Sequence, residues 1–272
     1  MIHLQPKYEF RVPINGECIT PDNFADKSTQ EIEEIKIQEG NKQKTLGELF
    51  KITIENPTNT AETCIKLVGN LEKIRRIGAC MSMGEIIIEG NVGMHLGEEM
   101  KNGKITVLGD AGSWAGCMMK DGIIEIKGNA GDYIGSAYRG STKGMKGGKI
   151  IIHGNVGNEL GCFMQNGTIK VYGNAGQFVG MHMKDGTILV KGNTQERAGA
   201  CMKGGKIVLC GYTPSILPTF TIDSIRAKTK VEDEELAEPF YLFIGDLTEK
   251  GDGRLFVAKN KNPHLSFYEK YL

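Results

Sequence analysis

The sequence predicts an all-β fold and, within it, a single-stranded solenoid: a right-handed parallel β-helix of about seven 19-residue coils. Three observations carry that prediction. Glycine is about twice as frequent as in average proteins, with 37 glycines against 8 prolines in 272 residues. Those glycines recur at a fixed interval. Between them lie short segments whose alternate residues are apolar and mostly β-branched.

The interval is set by Gly90, Gly109, Gly128, Gly154, Gly173, Gly192 and Gly211, which step by nineteen positions except for twenty-six between Gly128 and Gly154. A second column runs Gly84, Gly103, Gly122, Gly148, Gly167, Gly186 and Gly205, and a third Gly78, Gly97, Gly116, Gly135, Gly161, Gly180 and Gly199. Segments such as EIIIEGNVGMHLGEEMKNG and TIKVYGNAGQFVGMHMKDG align without a gap, and the repeats span about residues 64–212. Self-similarity of this period marks a stacked architecture.

Each unit carries one strand. Its first inward position is Ile86, Ile105, Ile124, Ile150, Ile169, Ile188 or Ile207, followed two residues on by Ile88, Val107, Ile126, Ile152, Val171, Val190 or Leu209. A strand this short cannot bury its apolar face alone. Copies stacked roughly 4.8 Å apart can do so. The bounding glycines are expected to supply the positive φ of sharp corners. Stacking then sets like over like, with methionine (Met81, Met100, Met119, Met145, Met164, Met183, Met202) filling core gaps. Asparagine (Asn70, Asn91, Asn129, Asn155, Asn174, Asn193, with Asp110 once) is expected to form a ladder of mutually bonded amides. Nineteen is not a multiple of six, which disfavours the left-handed hexapeptide solenoid.

The flanks differ in composition. Residues 1–63 hold a strand expected over Ile2 to Val12 and a short helix capped by Thr45. Residues 213–272 read as a hairpin across EKGDG with an aromatic tail. Both flanks are expected to cap the open strand edges of the solenoid.

Several function classes are disfavoured. With 33 basic and 33 acidic side chains the chain lacks the charge of a nucleic-acid binder. No apolar run is long enough for membrane insertion, and the N-terminus lacks the apolar core of a signal peptide. Seven cysteines without CxxC spacing fit a reducing, cytoplasmic setting. They form no continuous column, the five histidines form no pair, and no GxSxG occurs, so no catalytic, cofactor-binding or metal site is expected. The glycine-rich strings lie between strands and recur, unlike a phosphate loop that opens one helix. Interface candidates do emerge. His95, Trp114, Tyr133, Glu159, Phe178 and Arg197 share one corner, and one unit carries an insertion after Gly135 (SAYRGST) with Tyr138 and Arg139. Exposed aromatics and arginine are typical interface anchors. Strand positions expected to face outward (Ile87, Leu108, Ile151, Tyr172, Leu189, Val208) are too apolar for a fully wetted face.

The unit G-x-x-M-x-x-G-x-I-x-[IV]-x-G, seen as GACMSMGEIIIEG, GEEMKNGKITVLG and GCFMQNGTIKVYG, resembles the C subunit of formylmethanofuran dehydrogenase. GDLTEKGDGRLFV and the total length extend the likeness over most of the chain. More distantly, the GNxGxxxG strings look like the non-catalytic GxGxG β-helix domain of glutamate synthase. The resemblance implies a structural subunit of a complex that reduces CO2, with reduced ferredoxin, to N-formylmethanofuran. It places tungsto- or molybdopterin, iron–sulfur clusters and a dinuclear zinc site in other subunits: formate-dehydrogenase-like, amidohydrolase-like and ferredoxin-type partners. A related bacterial formyltransferase/hydrolase complex and a stand-alone glutamate synthase module remain open, as does an independent enzyme working in the solenoid groove.

Overall fold

The structure, a computed structural model, describes residues 1–55 and 63–272. The end of the N-terminal flank, 56–62, lies outside the described residues. The chain is all-β, with only short helical turns. Eight successive strands pair in parallel, each with the next: Cys64–Val68, Glu85–Glu89, Lys104–Val107, Ile123–Ile126, Lys149–Ile152, Thr168–Val171, Thr187–Val190 and Lys206–Leu209. Register places Ile86 opposite Ile105, Ile105 opposite Ile124, Ile124 opposite Ile150 and Ile188 opposite Ile207. The inserted SAYRGST segment therefore leaves the ladder's register intact. Each repeat unit is called a rung below.

A second ladder joins the rungs elsewhere, through parallel bridges from Leu71 to Val92, Val92 to Ala111, Ala111 to Ala130 and Ala130 to Val156. Its residues, the inward strand isoleucines, the column Leu96, Ala115, Ile134, Leu160, Val179, Ala198 and the seven methionines of the repeat column fall in one buried cluster. Sequence reading missed the bridge column and the Leu96 column. Their side chains vary from alanine to leucine, and alternation alone does not reveal them.

Both ends of the ladder are continued by flanking chain. Ile2–Pro6 adds in parallel to Cys64–Val68 and is itself covered by the antiparallel strand Phe50–Ile54. The first strand stops at Pro6, short of the expected Val12. At the other end Gly253–Ala258 adds in parallel to Lys206–Leu209, and Phe240–Gly245 and Thr221–Arg226 follow antiparallel. Thr45 precedes the helix Leu46–Leu49, where its backbone N–H donates to the Glu48 carboxylate at 2.7 Å.

In the first glycine column only Gly90 has the expected positive φ; from Gly109 on the column serves another purpose. Gly154 does not have positive φ, yet a Cβ there would lie 2.6 Å from the Gly128 carbonyl and 2.7 Å from Asn129 Oδ1. Close backbone approach, not a left-handed turn, excludes a side chain. The second column does turn left-handed: Gly103 has φ +96°. A Cβ at Gly103 would also sit 2.7 Å from Cε of Met81, one rung back. The same pairing recurs from Gly122 against Met100 to Gly205 against Met183. Methionine and glycine are thus one packing unit spread over two rungs, with the flexible thioether entering the space glycine leaves.

The asparagine ladder likewise differs from stacked amides. Oδ1 of Asn129 accepts the backbone N–H of Asn155 at 2.9 Å, Asn155 that of Asn174 at 2.8 Å, and Asn174 that of Asn193 at 2.8 Å. Each side chain satisfies a main-chain donor that the glycine corner leaves outside the strand ladder. Asp110 does the same for Asn129 at 2.6 Å, which explains why a carboxylate substitutes there.

Gly154→Ala is expected to cost about 3 kcal/mol, the upper end of overpacking losses, because the obstacle is backbone. Gly140→Ala, at φ +84° with open space around it, is expected to cost about 1 kcal/mol from left-handed strain alone. Thermal melts of the two variants check the difference, and equal melts would contradict the close-approach account.

Candidate partner-binding surface

The corner column His95, Trp114, Tyr133, Glu159, Phe178 and Arg197 adopts left-handed backbone throughout, with φ between 58° and 67°. That conformation costs an L-residue about 1–2 kcal/mol. It sets successive side chains over one another, and ring contact offsets part of the cost. His95 and Trp114 stack with centroids 5.3 Å apart and planes 3° from parallel; Trp114 and Tyr133 stack at 4.5 Å and 8°.

The insertion lies across this stack. Ser136 donates its hydroxyl to the Tyr133 carbonyl at 2.7 Å, and the Ala137 N–H reaches the Cys162 carbonyl at 3.0 Å. Tyr138 tilts against His95 at 5.5 Å and Trp114 at 6.3 Å, and the Arg139 guanidinium sits 5.7 Å from the Trp114 ring. Trp114, expected to be an exposed anchor, is consequently only 9% exposed. Tyr133 and Phe178 are half-buried, the latter beneath Arg197 at 5.3 Å. Tyr138, 47% exposed, Arg139 and Arg197 are the groups this corner offers to solvent.

Electrostatics beside the stack follow from burial. His95 Nδ1 lies 3.5 Å from Glu98, and Arg76 Nε lies 3.2 Å from the same carboxylate. Burial lowers the His95 pKa, and Arg76 and Arg75 lower it further. Burial raises the Glu98 carboxyl against the pull of Arg76.

A second stack escaped sequence reading. Phe163 and His182, in the neighbouring left-handed column, lie 4.4 Å apart and 8° from parallel. They stand one repeat apart in the chain, which is the signal the sequence offers. The outward strand positions divide in three, with Ile87 and Ile151 half-buried. Leu189 and Val208 are fully buried beneath Val231, Leu236, Phe240, Leu242 and Phe256, whereas Leu108 and Tyr172 remain 50% and 43% exposed. Lysines of the same face clamp the hairpin strands Thr229–Val231 and Glu234–Leu236: Lys149 and Lys170 reach Glu232 at 2.9 and 3.0 Å, and Lys191 reaches Glu234 at 2.5 Å.

The donors needed for an iron–sulfur cluster or a zinc pair do not converge among the described residues. Cys117 and Cys162 are buried, with thiols pushed up to about 12, so both are neutral at pH 7. Glu125, Lys127 and His153 do cluster, with His153 Nε2 2.9 Å from the carboxylate and the Tyr172 ring stacked on the imidazole at 5.4 Å. No described helix is long and apolar enough to cross a membrane.

No protein-family model matches the chain. Over 93 residues it is 41% identical to the C subunit of molybdenum-containing formylmethanofuran dehydrogenase 1 of Methanosarcina barkeri, covering 34% of this chain and 31% of that one. Over 96 residues it is 42% identical to the C subunit of tungsten-containing formylmethanofuran dehydrogenase 2 of Methanothermobacter thermautotrophicus, covering 35% and 36%. The matched segment therefore spans about a third of these curated relatives. A chain in the crystal structure of the formyltransferase/hydrolase complex FhcABCD from Methylorubrum extorquens, solved with methylofuran, superposes with a TM-score of 0.83 at 28% identity, over 94% of this chain and 99% of that one. The resemblance to the C subunit of formylmethanofuran dehydrogenase thus rests on matched residues in proteins that carry that name.

Two outcomes are expected. The single tryptophan should show a low acrylamide quenching constant, and Arg139→Ala should raise it without lowering the melting temperature; a free-tryptophan value in the wild type would contradict the stack. A histidine whose folded pKa lies below its ordinary 6.5 supplies stability that is present above that value and lost as pH falls. Glu98, raised from 4.5, contributes in the opposite sense in its own lower range. Wild-type stability relative to His95→Phe should therefore fall between pH 7 and 5, as measured by urea unfolding; a constant difference would refute the burial of His95.

Proposed function

We propose that this chain is a non-catalytic structural subunit of a formylmethanofuran dehydrogenase complex, folded as a right-handed parallel β-helix with flanks 1–63 and 213–272 capping the repeats of 64–212. Its role is to hold partner subunits in fixed positions while they reduce CO2 and methanofuran to N-formylmethanofuran. The observation that carries this reading is the likeness to proteins named as the C subunit, 41% and 42% identical over about a third of the chain, in both the molybdenum and the tungsten forms. The buried columns facing one core support the solenoid, because a chain that returns to the same register once per repeat encloses a continuous interior. Pterin, iron–sulfur and zinc chemistry belong, in this reading, to the formate-dehydrogenase-like, ferredoxin-type and amidohydrolase-like partners, and no step of the reaction runs through residues of this chain.

A second reading has its own support. The superposition on a chain of the formyltransferase/hydrolase complex runs nearly end to end, while the dehydrogenase matches cover a third of the chain. In that case the same scaffold serves formyl transfer and release of formate, steps that involve no change of oxidation state.

Affinity isolation of the chain from anaerobic native extract, with elemental analysis, tests both. Tungsten or molybdenum with iron and zinc, and several partner chains, is the expected result for the dehydrogenase. Zinc without tungsten or molybdenum selects the hydrolase, and a metal-free single species contradicts both. Within the complex, Arg139→Glu together with Tyr138→Ala is expected to weaken assembly at least tenfold while the isolated chain melts as wild type. Trp114→Asp is unsuitable for this purpose, since a carboxylate between His95 and Tyr133 would destabilise the fold itself.

A further inference from the structure

One corner of the stack is lined with lysine. Lys101, Lys120, Lys146, Lys184 and Lys203 each follow the buried methionine of their rung, and all are exposed. Their spacing is fixed by the main chain. Lys101 N–H donates to the Met81 carbonyl at 2.8 Å, Lys120 to Met100 at 2.8 Å, Lys146 to Met119 at 2.7 Å, Lys184 to Met164 at 2.8 Å and Lys203 to Met183 at 2.7 Å. Gln165, bonded to Met145 in the same way, is the single break between the first and last of them.

Lysines elsewhere on the ladder find carboxylates: Lys104 pairs with Glu85 at 3.1 Å, and Lys149, Lys170 and Lys191 pair with the Glu232 hairpin. In the corner column Lys120 holds Glu99 at 3.1 Å and Lys203 holds Glu249 at 3.4 Å. Lys101, Lys146 and Lys184 have no ion-pair partner among the described residues. Along this edge three exposed lysines therefore stand unpaired, separated by the paired Lys120 and by Gln165, while Asp121 and Asp185 follow Lys120 and Lys184 in the chain.

We infer that this lysine column docks an acidic face of a partner protein subunit. The neighbouring left-handed column, two residues back, supplies the apolar part of such a contact with the half-buried Met118, Phe163 and His182, and lysines suit its polar rim. A nucleic acid fits less well. Base stacking needs open ring faces, and Phe163 and His182 spend one face each on the other, 4.4 Å apart. The inference rests on the subunit reading and adds to it which edge is held and by what charge.

Acetylation of the native complex and of the isolated chain, with carbodiimide cross-linking of the complex, tests the docking. Lys101, Lys146 and Lys184 should react at least fivefold more slowly in the complex and cross-link to aspartate or glutamate of one partner chain. A Lys101→Glu, Lys146→Glu, Lys184→Glu variant should melt as wild type and bind that chain at least tenfold more weakly, with a flatter salt dependence. The triple glutamine variant should lie between. Equal acetylation in both states, or unchanged affinity, overturns the inference while leaving the subunit reading standing. Protection by co-purifying nucleic acid also overturns it. Absence of any partner chain in native extract overturns the subunit reading and this inference together.

Discussion

How closely successive rungs approach at the glycine corners governs the rest of the molecule. At Gly154 the next backbone leaves no space for even a methyl group, with the Gly128 carbonyl 2.6 Å from where a Cβ would stand. That approach brings the main chain of one rung within reach of the asparagine oxygen of the rung before, and the side chain takes up the N–H the strand ladder misses. Tight corners also narrow the interior. Isoleucine from the strands, small or branched residues from the other two sides and one methionine per rung then suffice to fill it.

A ladder built this way leaves two sheet edges and one wet outer face, and the flanks deal with each. Phe50–Ile54 covers Ile2–Pro6 at one end, and Phe240–Gly245 with Thr221–Arg226 covers the other, so neither terminal rung presents its own bare edge. The C-terminal strands also bury Leu189 and Val208 on the outer face. Asn262, fully buried, fastens this region to the last rung by accepting Thr213 N–H at 2.8 Å and donating to the Gly211 and Ala258 carbonyls at 3.0 and 2.8 Å. Leu108 and Tyr172, with no such cover, extend the exposed surface available to other chains.

The repeat, its strands and its inward isoleucines were legible in the sequence because one physical demand, like packing over like, recurs in every unit. What period alone does not carry is geometry. Gly154 and Gly103 look alike in sequence, yet Gly154 is small only because the Gly128 carbonyl crowds it, whereas Gly103 has both the Gly84 carbonyl 2.8 Å from its Cβ position and a φ of +96°. Trp114 reads as an interface anchor, and only the fold shows His95, Tyr133 and the inserted Tyr138 and Arg139 closing around it. The parallel addition of Gly253–Ala258 to Lys206–Leu209, across the whole C-terminal flank, has no local signal at all.

If the rungs are interchangeable units, a whole one can be removed. Deleting residues 91–109 joins Gly90 to Asp110 and restores every column, with Met81 set against Gly122 and the Gly78 corner against Ile124. Thermal unfolding of that deletion, followed by circular dichroism, is the most direct test. A folded chain with one cooperative transition and undiminished strand signal per residue is the expected result. An unfolded or aggregated chain would show that the rungs are not equivalent, and the stacking account would fail.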